Sequence, residues 1–167
     1  MKRSLLWWLG AGLGCAWLGW SPVRADTALL YSLNTTCRLG SGQPQPCQVE
    51  AVEEGDATEY RHQLADRTIS YRILDVPYVR IEGRKAAADP WSSVRNAWIN
   101  FSTNELCFND RAFCVVNPTF LADVKAEARG AAFEGRGTVG LAFGPGGRVD
   151  IACFDNGCRR LLEAIGR

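Results

Sequence analysis

Six cysteines fall into three close couples, and the spacing within each couple limits the chemistry open to them. The couples are Cys37 with Cys47, Cys107 with Cys114, and Cys153 with Cys158. Catalytic dithiols and structural zinc sites both favour C-x-x-C spacing, which the sequence does not contain. Each couple instead brackets a stretch of turn-like composition, where two Cα atoms come close enough to be bridged. The spacing predicts three local disulfides, each worth about 2–3 kcal/mol by the chain-entropy model.

The single histidine restricts acid–base and nucleophilic catalysis. His62 alternates with Tyr60 and Leu64 on the apolar face of a predicted strand, which indicates a buried structural side chain. A Ser-His-Asp triad would have to use it, yet the sequence has no G-x-S-x-G elbow. With one histidine, a transition-metal site would depend mainly on carboxylates. We therefore predict no catalytic residue, no metal and no cofactor.

Three glycines have the spacing of a dinucleotide-binding fingerprint. Gly135, Gly137 and Gly140 follow a predicted helix and lead into a predicted strand. The fingerprint needs the opposite order, because a helix must open within it to hold pyrophosphate at its N-terminus. We interpret these glycines as a bend and a strand start.

An acidic run raises the question of hydrolysis by paired carboxylates. It comprises Glu50, Glu53, Glu54, Asp56 and Glu59. Two carboxylates about 5–9.5 Å apart are enough to cleave a glycosidic bond. The run follows no single strand face and straddles a predicted turn, which favours a solvated hairpin tip. A carboxylate-based hydrolase of glycans or peptides remains the alternative function.

The stretch from Tyr78 to Trp98 is locally basic and carries a tryptophan in an Asp-Pro-Trp turn. Arg84, Lys85 and Arg95 flank Trp91 in the sequence. Exposed tryptophan and arginine are the residue types that anchor interfaces. In the other interpretation, Trp91 folds back over the open end of a sheet. These four residues are the candidate contact surface, for an envelope protein or an anionic glycan.

Residues 1–25 have the layout of a secretory signal. Met1-Lys2-Arg3 precedes a glycine-rich apolar run of 17 residues from Ser4 to Trp20, and the small residue Ala25 ends the segment. That run is at the short limit for a membrane span. Lipid attachment at Cys15 is disfavoured, because glycine stands where a lipobox has a large aliphatic residue. We predict cleavage after Ala25 and no transmembrane segment afterwards.

The remaining segment, 26–167, is predicted to be a single exported domain in the periplasm or outside the cell. It holds 142 residues, about one domain by length, with 16 basic and 18 acidic side chains and a net charge of −2. A nucleic-acid-binding domain would be strongly basic. The charge balance therefore argues against nucleic acid as a partner.

Short strands with period-two alternation dominate the predicted elements. The fold class is α+β and β-dominated, an antiparallel meander or partial barrel with seven to nine strands and two short helices, stapled by disulfides. The predicted elements are strands at 58–64, 69–73, 79–82 and 97–102, hairpins around Asn109-Asp110 and Gly144–Gly147, and helices over 117–130 and 156–165.

Three stretches, WSSVRNAWINFSTNELCFND, FCVVNPTFLADV and VDIACFDNGC, resemble those of small exported cyanobacterial proteins of uncharacterised function. The resemblance covers most of the segment after the leader. It implies placement in the periplasm or another lumenal space, and it implies no activity, ligand or catalytic residue.

Taken together, the sequence predicts a non-enzymatic, exported binding or accessory domain of the cell envelope. Beside the hydrolase, a second alternative is a hydrolase inhibitor that presents the loop between Cys37 and Cys47. The tract Gln43-Pro44-Gln45-Pro46 within that loop is stiff enough to act as a preorganised ligand.

Overall fold

The computed structural model describes residues 27–127 and 133–158. The predicted leader, the end of the first predicted helix and most of the second lie outside these ranges. The described residues form eleven strands and one α-helix: β1 (Ala28–Leu39), β2 (Gln45–Glu54), β3 (Ala57–Gln63), β4 (Thr68–Leu74), β5 (Arg80–Arg84), β6 (Ser92–Ser93), β7 (Asn96–Asn100), β8 (Glu105–Phe108), β9 (Phe113–Val116), α1 (Pro118–Glu127), β10 (Thr138–Phe143) and β11 (Val149–Phe154).

The strands form one antiparallel sheet that curls on itself. Its order is β11-β10-β7-β8-β9-β1-β2-β3-β4-β5-β6. Only Val94 and Arg95 separate β6 from β7, so one short segment pairs with β5 through its first half and with β8 and β10 through its second. The backbone nitrogen of Val94 also donates to the carbonyl of Ile81 at 3.0 Å. The edge formed by β5 and β6 therefore lies next to β7, two strands in from the opposite edge of the sheet, and the predicted β-dominated partial barrel is confirmed.

The alternation in the middle of the chain correctly identifies the inward-facing side chains. Tyr60 and His62 on β3, and Ile69 and Tyr71 on β4, all face the barrel interior. The strand count was too low, because no strand is predicted before residue 55, where the acidic residues are interpreted as a hairpin tip. It forms the two longest strands of the described chain, β1 and β2.

An aromatic cluster fills much of the interior. The ring of Tyr71 stacks on Phe108 with 3.9 Å between centroids, and it lies 5.6 Å from the ring of Phe113. His62 meets Phe113 edge-on at 4.8 Å. Aromatic side chains bury 150–250 Å² each, so this cluster provides a large share of the hydrophobic stabilisation.

Helix α1 packs against the hydrophobic core. The side-chain oxygen of Asn117 accepts a hydrogen bond from the backbone nitrogen of Phe120 at 3.1 Å, as a helix N-cap does. Pro118 follows as the first helical residue, as the sequence predicts. Leu121 is fully buried, and Phe120 packs edge-on against Tyr60 at 5.3 Å between centroids.

The three predicted disulfides are confirmed, and all of them are local. Within the described chain, one bond joins β1 to β2, one joins β8 to β9, and one joins β11 to the helical turn that follows it. They are Cys37–Cys47, Cys107–Cys114 and Cys153–Cys158. They pin individual hairpins and turns, whereas the long-range pairing of β1 with β9 depends on the sheet itself.

Among the described residues, no helix has both the length and the apolar character that a membrane crossing requires.

Candidate functional site

A cleft of about 730 Å³ opens beside the aromatic cluster. It lies between the β3–β4 turn, the loop that follows β5, and the β8–β9 turn. Its apolar lining comes from Leu39, Ile69, Tyr71 and Phe113, of which the last three are almost fully buried. The base of the cleft is therefore formed by residues of the hydrophobic core.

Basic side chains surround this apolar base. Arg67, Arg84, Lys85 and Arg95 line the cleft, against the single carboxylate of Asp89 among its lining residues. Three of the four basic residues were predicted as contact residues from the sequence. The curled sheet brings Arg95 to the same cleft as Arg84 and Lys85, although β6 separates them along the chain. We call this set of four basic residues the cationic rim.

Three members of the cationic rim are weakly engaged by their neighbours. Arg95 contacts Asp110 at 3.0 Å, but their side chains are 75% and 65% exposed. Arg67 pairs with the adjacent Asp66, also at the surface. Lys85 makes no ion pair with any described residue. Exposed pairs of this kind contribute about 0–1 kcal/mol, so these charges remain available to an anion.

Arg84 is held more firmly, by a buried carboxylate on the outer face of the sheet. A terminal nitrogen of Arg84 lies 2.7 Å from Glu59, and Arg61 contacts the other oxygen of that carboxylate at 2.8 Å. Glu59 is only 1% exposed. The interpretation of the acidic run as a solvated tip is therefore wrong for Glu59, because β3 places it under two guanidinium groups.

The protonation of Glu59 follows from this setting. Burial alone raises the pKa of its carboxyl group, but hydrogen bonds from Arg61, Ser70 and Arg84 favour the charged form. The pKa of Glu59 consequently lies below its ordinary value, and the carboxylate stays ionised at neutral pH.

Trp91 lies outside the lining of the cleft and packs on the outer face of the sheet. Its ring is 4.4 Å from the guanidinium carbon of Arg72 and 4.3 Å from that of Arg84. The side chain is half-buried. Of the predicted contact residues, Arg84, Lys85 and Arg95 thus share one cleft, while Trp91 contacts Arg84 from behind.

A second, internal cavity of about 100 Å³ lies within the barrel. Its walls are mostly apolar and include Ala97, Ile99, Phe108 and Leu141. Tyr71 is the one lining residue that this cavity has in common with the cleft.

His62 also lines the internal cavity. Its Nδ1 lies 3.1 Å from the carbonyl oxygen of Ile69, and the side chain is 2% exposed. Burial lowers the pKa of His62 to about 4, against the opposing effect of the backbone carbonyls of Ile69 and Tyr60. The imidazole is neutral at pH 7, and its predicted buried position is confirmed.

Two other groupings of potential ligands have less to support them. Glu53, Asp56 and Asp75 line a shallow recess at the turns that end β2 and β4, and nothing beyond the clustering of acids points to a ligand there. The ligand atoms of Glu105, Cys107 and Cys114 lie within 4.8 Å of one another. Both sulfurs, however, belong to one disulfide, so neither is a thiolate that could bind a metal.

Sequence reasoning missed the apolar base of the cleft and Arg67 in its rim. Ile69 and Tyr71 were recognised as inward-facing, but a strand pattern does not show which inward side chains remain near an opening. No protein-family model, curated protein or solved structure matches the chain.

Proposed function

We propose that the protein is a non-enzymatic binding domain of the cell envelope that takes an anionic ligand in the cleft. The observation that carries this proposal is the cleft itself, in which the basic residues Arg67, Lys85 and Arg95 and one acidic residue lie around an apolar base. The fourth basic residue of the lining, Arg84, has its guanidinium group paired with Glu59 on the outer face of the sheet. Its volume of about 730 Å³ falls within the range of small-molecule sites.

The charge of the cleft differs from that of the domain around it. The segment 26–167 has a net charge of −2, whereas Arg67, Lys85, Arg95 and Asp89 around the cleft sum to +2. Arg84 is left out of this sum because Glu59 neutralises its charge on the outer face of the sheet. Arginine offers planar paired donors to a carboxylate or phosphate, and lysine adds a mobile point charge. The local excess of positive charge therefore favours an anionic ligand.

The concave shape bears on the choice of partner. A protein partner usually needs a broad surface of about 800 Å² on each side. A cleft with convergent charges instead suits a small molecule or the end of an anionic glycan. Of the two partners that the sequence predicts, the anionic one fits the cleft better.

The alternatives find less support in this geometry. Hydrolysis by paired carboxylates needs two acids, and Asp89 is the single carboxylate lining the cleft among the described residues. An inhibitory loop between Cys37 and Cys47 would need an extended, accessible tract. Pro46, however, pairs with Thr36 inside the β1–β2 ladder, which leaves only a short turn exposed.

Export is part of the proposal. Disulfides persist in oxidising compartments, and the three local bonds are compatible with such a location. We expect the protein isolated from its native host to begin at Asp26, which intact-mass measurement checks. A retained leader with a lipid on Cys15 would replace the soluble protein with a tethered one.

Fluorescence titration with 8-anilinonaphthalene-1-sulfonate tests binding in the cleft, because this probe combines an anionic group with apolar rings. We expect saturable binding by the folded protein and about tenfold weaker binding for Lys85→Gln or Arg95→Gln, since a charge-assisted hydrogen bond is lost. The matched control is Lys125→Gln, which removes the same charge from α1 outside the cleft.

Circular dichroism ensures that each variant is folded before titration. Absence of saturable binding by the folded wild-type protein would overturn the proposal. Equal losses for Lys85→Gln and Lys125→Gln would do the same, because the probe would then be responding to net charge rather than to the cleft.

A further inference from the structure

We infer that the ligand is a single-chain amphiphile, with an anionic head group at the cationic rim and an unbranched apolar tail whose end enters the internal cavity past Tyr71. This inference rests on the proposed function and specifies the ligand class of the same cleft.

The cleft and the cavity share one lining residue, Tyr71. Tyr71 lines both spaces, with Phe113 beside it on the cleft side and Phe108 on the cavity side. A tail lying on Ile69 and Phe113 would therefore reach the cavity by displacing the ring of Tyr71 alone.

The Tyr71 side chain is held by stacking and not by a hydrogen bond. Its hydroxyl group has no hydrogen-bond partner among the described residues, although the side chain is only 6% exposed. Because moving the ring breaks no hydrogen bond, an apolar tail can replace its contacts with Phe108 and Phe113.

The internal cavity selects the shape of the tail. A cavity with apolar walls stays dry, and one of about 150 Å³ accommodates benzene. The cavity here is smaller, about 100 Å³. It therefore fits the end of an unbranched chain and excludes a ring or a hydrated sugar.

The cationic rim selects the head group. Lys85 and Arg95 are exposed, and of the two only Arg95 has an ion-pair partner among the described residues, the exposed Asp110. A carboxylate or another single anionic group can therefore contact both while remaining near water. A cationic head group would face the same residues as a repelling charge. The two spaces thus match the two ends of an anionic amphiphile.

The test uses straight-chain carboxylates of 6 to 14 carbons, each below its micelle-forming concentration, to displace 8-anilinonaphthalene-1-sulfonate. We expect affinity to rise up to about fourfold per added methylene, since each buried CH₂ contributes about 0.8 kcal/mol. The gain should stop once the cavity is full. Dodecyltrimethylammonium carries a cationic head group on a twelve-carbon chain and is compared with dodecanoate. We expect it to displace the probe at least tenfold less effectively than dodecanoate does.

A cavity-filling variant tests the path of the tail. Ala97 lines the cavity and is 4% exposed, so Ala97→Ile should occupy that space. We expect at least a tenfold loss for dodecanoate and less than a twofold change for hexanoate and the probe. Leu141→Phe fills the same cavity from β10, and it replaces Ala97→Ile in this test if Ala97→Ile does not fold.

The outcomes separate this inference from the proposed function. Probe binding that depends on Lys85, combined with carboxylate affinities that are independent of chain length, would overturn the amphiphile and leave the anion-binding cleft. Unchanged dodecanoate affinity in a folded cavity-filling variant would overturn the path past Tyr71. No probe binding at all would overturn both proposals. If neither variant folds, the chain-length series on the wild-type protein decides the inference.

Discussion

Tyr71 and Gly83 are directly paired across β4 and β5, and the glycine provides the space in which the tyrosine ring lies. A Cβ atom at position 83 would stand 2.8 Å from Cε1 of Tyr71, closer than real Cβ contacts allow. The ring is fixed on its other side by stacking on Phe108. The position of the Tyr71 ring between the cleft and the cavity therefore requires a residue without a Cβ atom at position 83.

We predict that Gly83→Ala destabilises the protein by about 1–3 kcal/mol, because the ring of Tyr71 must shift within a packed cluster. Urea denaturation measures the free energy of unfolding. The control is Gly157→Ala, since an added Cβ at Gly157 meets no heavy atom within 4 Å. Its effect should stay within about 0.5 kcal/mol. Equal effects of the two substitutions would contradict the close approach.

His62 should make stability fall as the solution becomes mildly acidic. Its pKa is about 4 in the folded protein, below the ordinary value of 6.5, so the unfolded chain takes up a proton first as pH decreases. The contribution of the neutral imidazole to the free energy of unfolding is fully present above pH 6.5 and is lost as the pH falls from about 6.5 to 4. At pH 5 we expect the free energy of unfolding to be about 2 kcal/mol lower than at pH 7.5.

The control for this prediction is His62→Gln, which keeps a donor for the carbonyl of Ile69 but does not titrate. Denaturant unfolding of both proteins at pH 7.5 and pH 5 gives the comparison. The variant should lose much less stability over this interval than the wild-type protein. A parallel loss in both proteins would assign the pH dependence to other groups.

Glu59 should be far more important for stability than the other acidic residues of its run. Removing its charge leaves Arg61 and Arg84 facing each other without their shared carboxylate, so we expect Glu59→Gln to cost about 2–4 kcal/mol. Glu54→Gln is the matched control, because Glu54 is 55% exposed and lies 3.9 Å from Arg61. Thermal and urea unfolding measure the stability of both variants. Equal losses for Glu59→Gln and Glu54→Gln would contradict the prediction.

Trp91→Ala should lower stability by about 1–2 kcal/mol, because the ring loses its contacts with two guanidinium groups. Binding of 8-anilinonaphthalene-1-sulfonate in the cleft should change less than twofold, since Trp91 does not line the cleft. Trp91→Phe keeps an aromatic face and should retain most of the stability. A loss of probe binding without loss of stability would instead make Trp91 part of the contact surface.

The sequence alone was sufficient for features that depend on short-range geometry. Cys153 and Cys158 are five residues apart, and such spacing around a turn leaves few other ways to form a bond. The alternation of Ile69 and Tyr71 with polar residues identified their inward face, because the side-chain period of a strand is two. The cap formed by Asn117 before Pro118 was equally local.

Two long strands were missed although their signal was present. Cys47, Val49 and Ala51 alternate with polar residues in β2 and are all buried. The glutamates beside them suggested a solvated turn, because charge was given more weight than alternation. A strand in a sheet with one solvent-exposed face can place apolar residues inward and glutamates outward, so alternation and charge are compatible there.

Only the tertiary structure decided which residues share the cleft. The pairing of β1 with β9, which joins Cys37 to Val115 across most of the described chain, curls the sheet into a partial barrel. That curvature brings Arg67, Lys85 and Arg95 around one opening, with Tyr71 between it and the cavity. The sequence determined the local pairs and the inward faces, because these depend on neighbouring residues. The cleft required contacts between distant segments, and local patterns carry no information about such contacts.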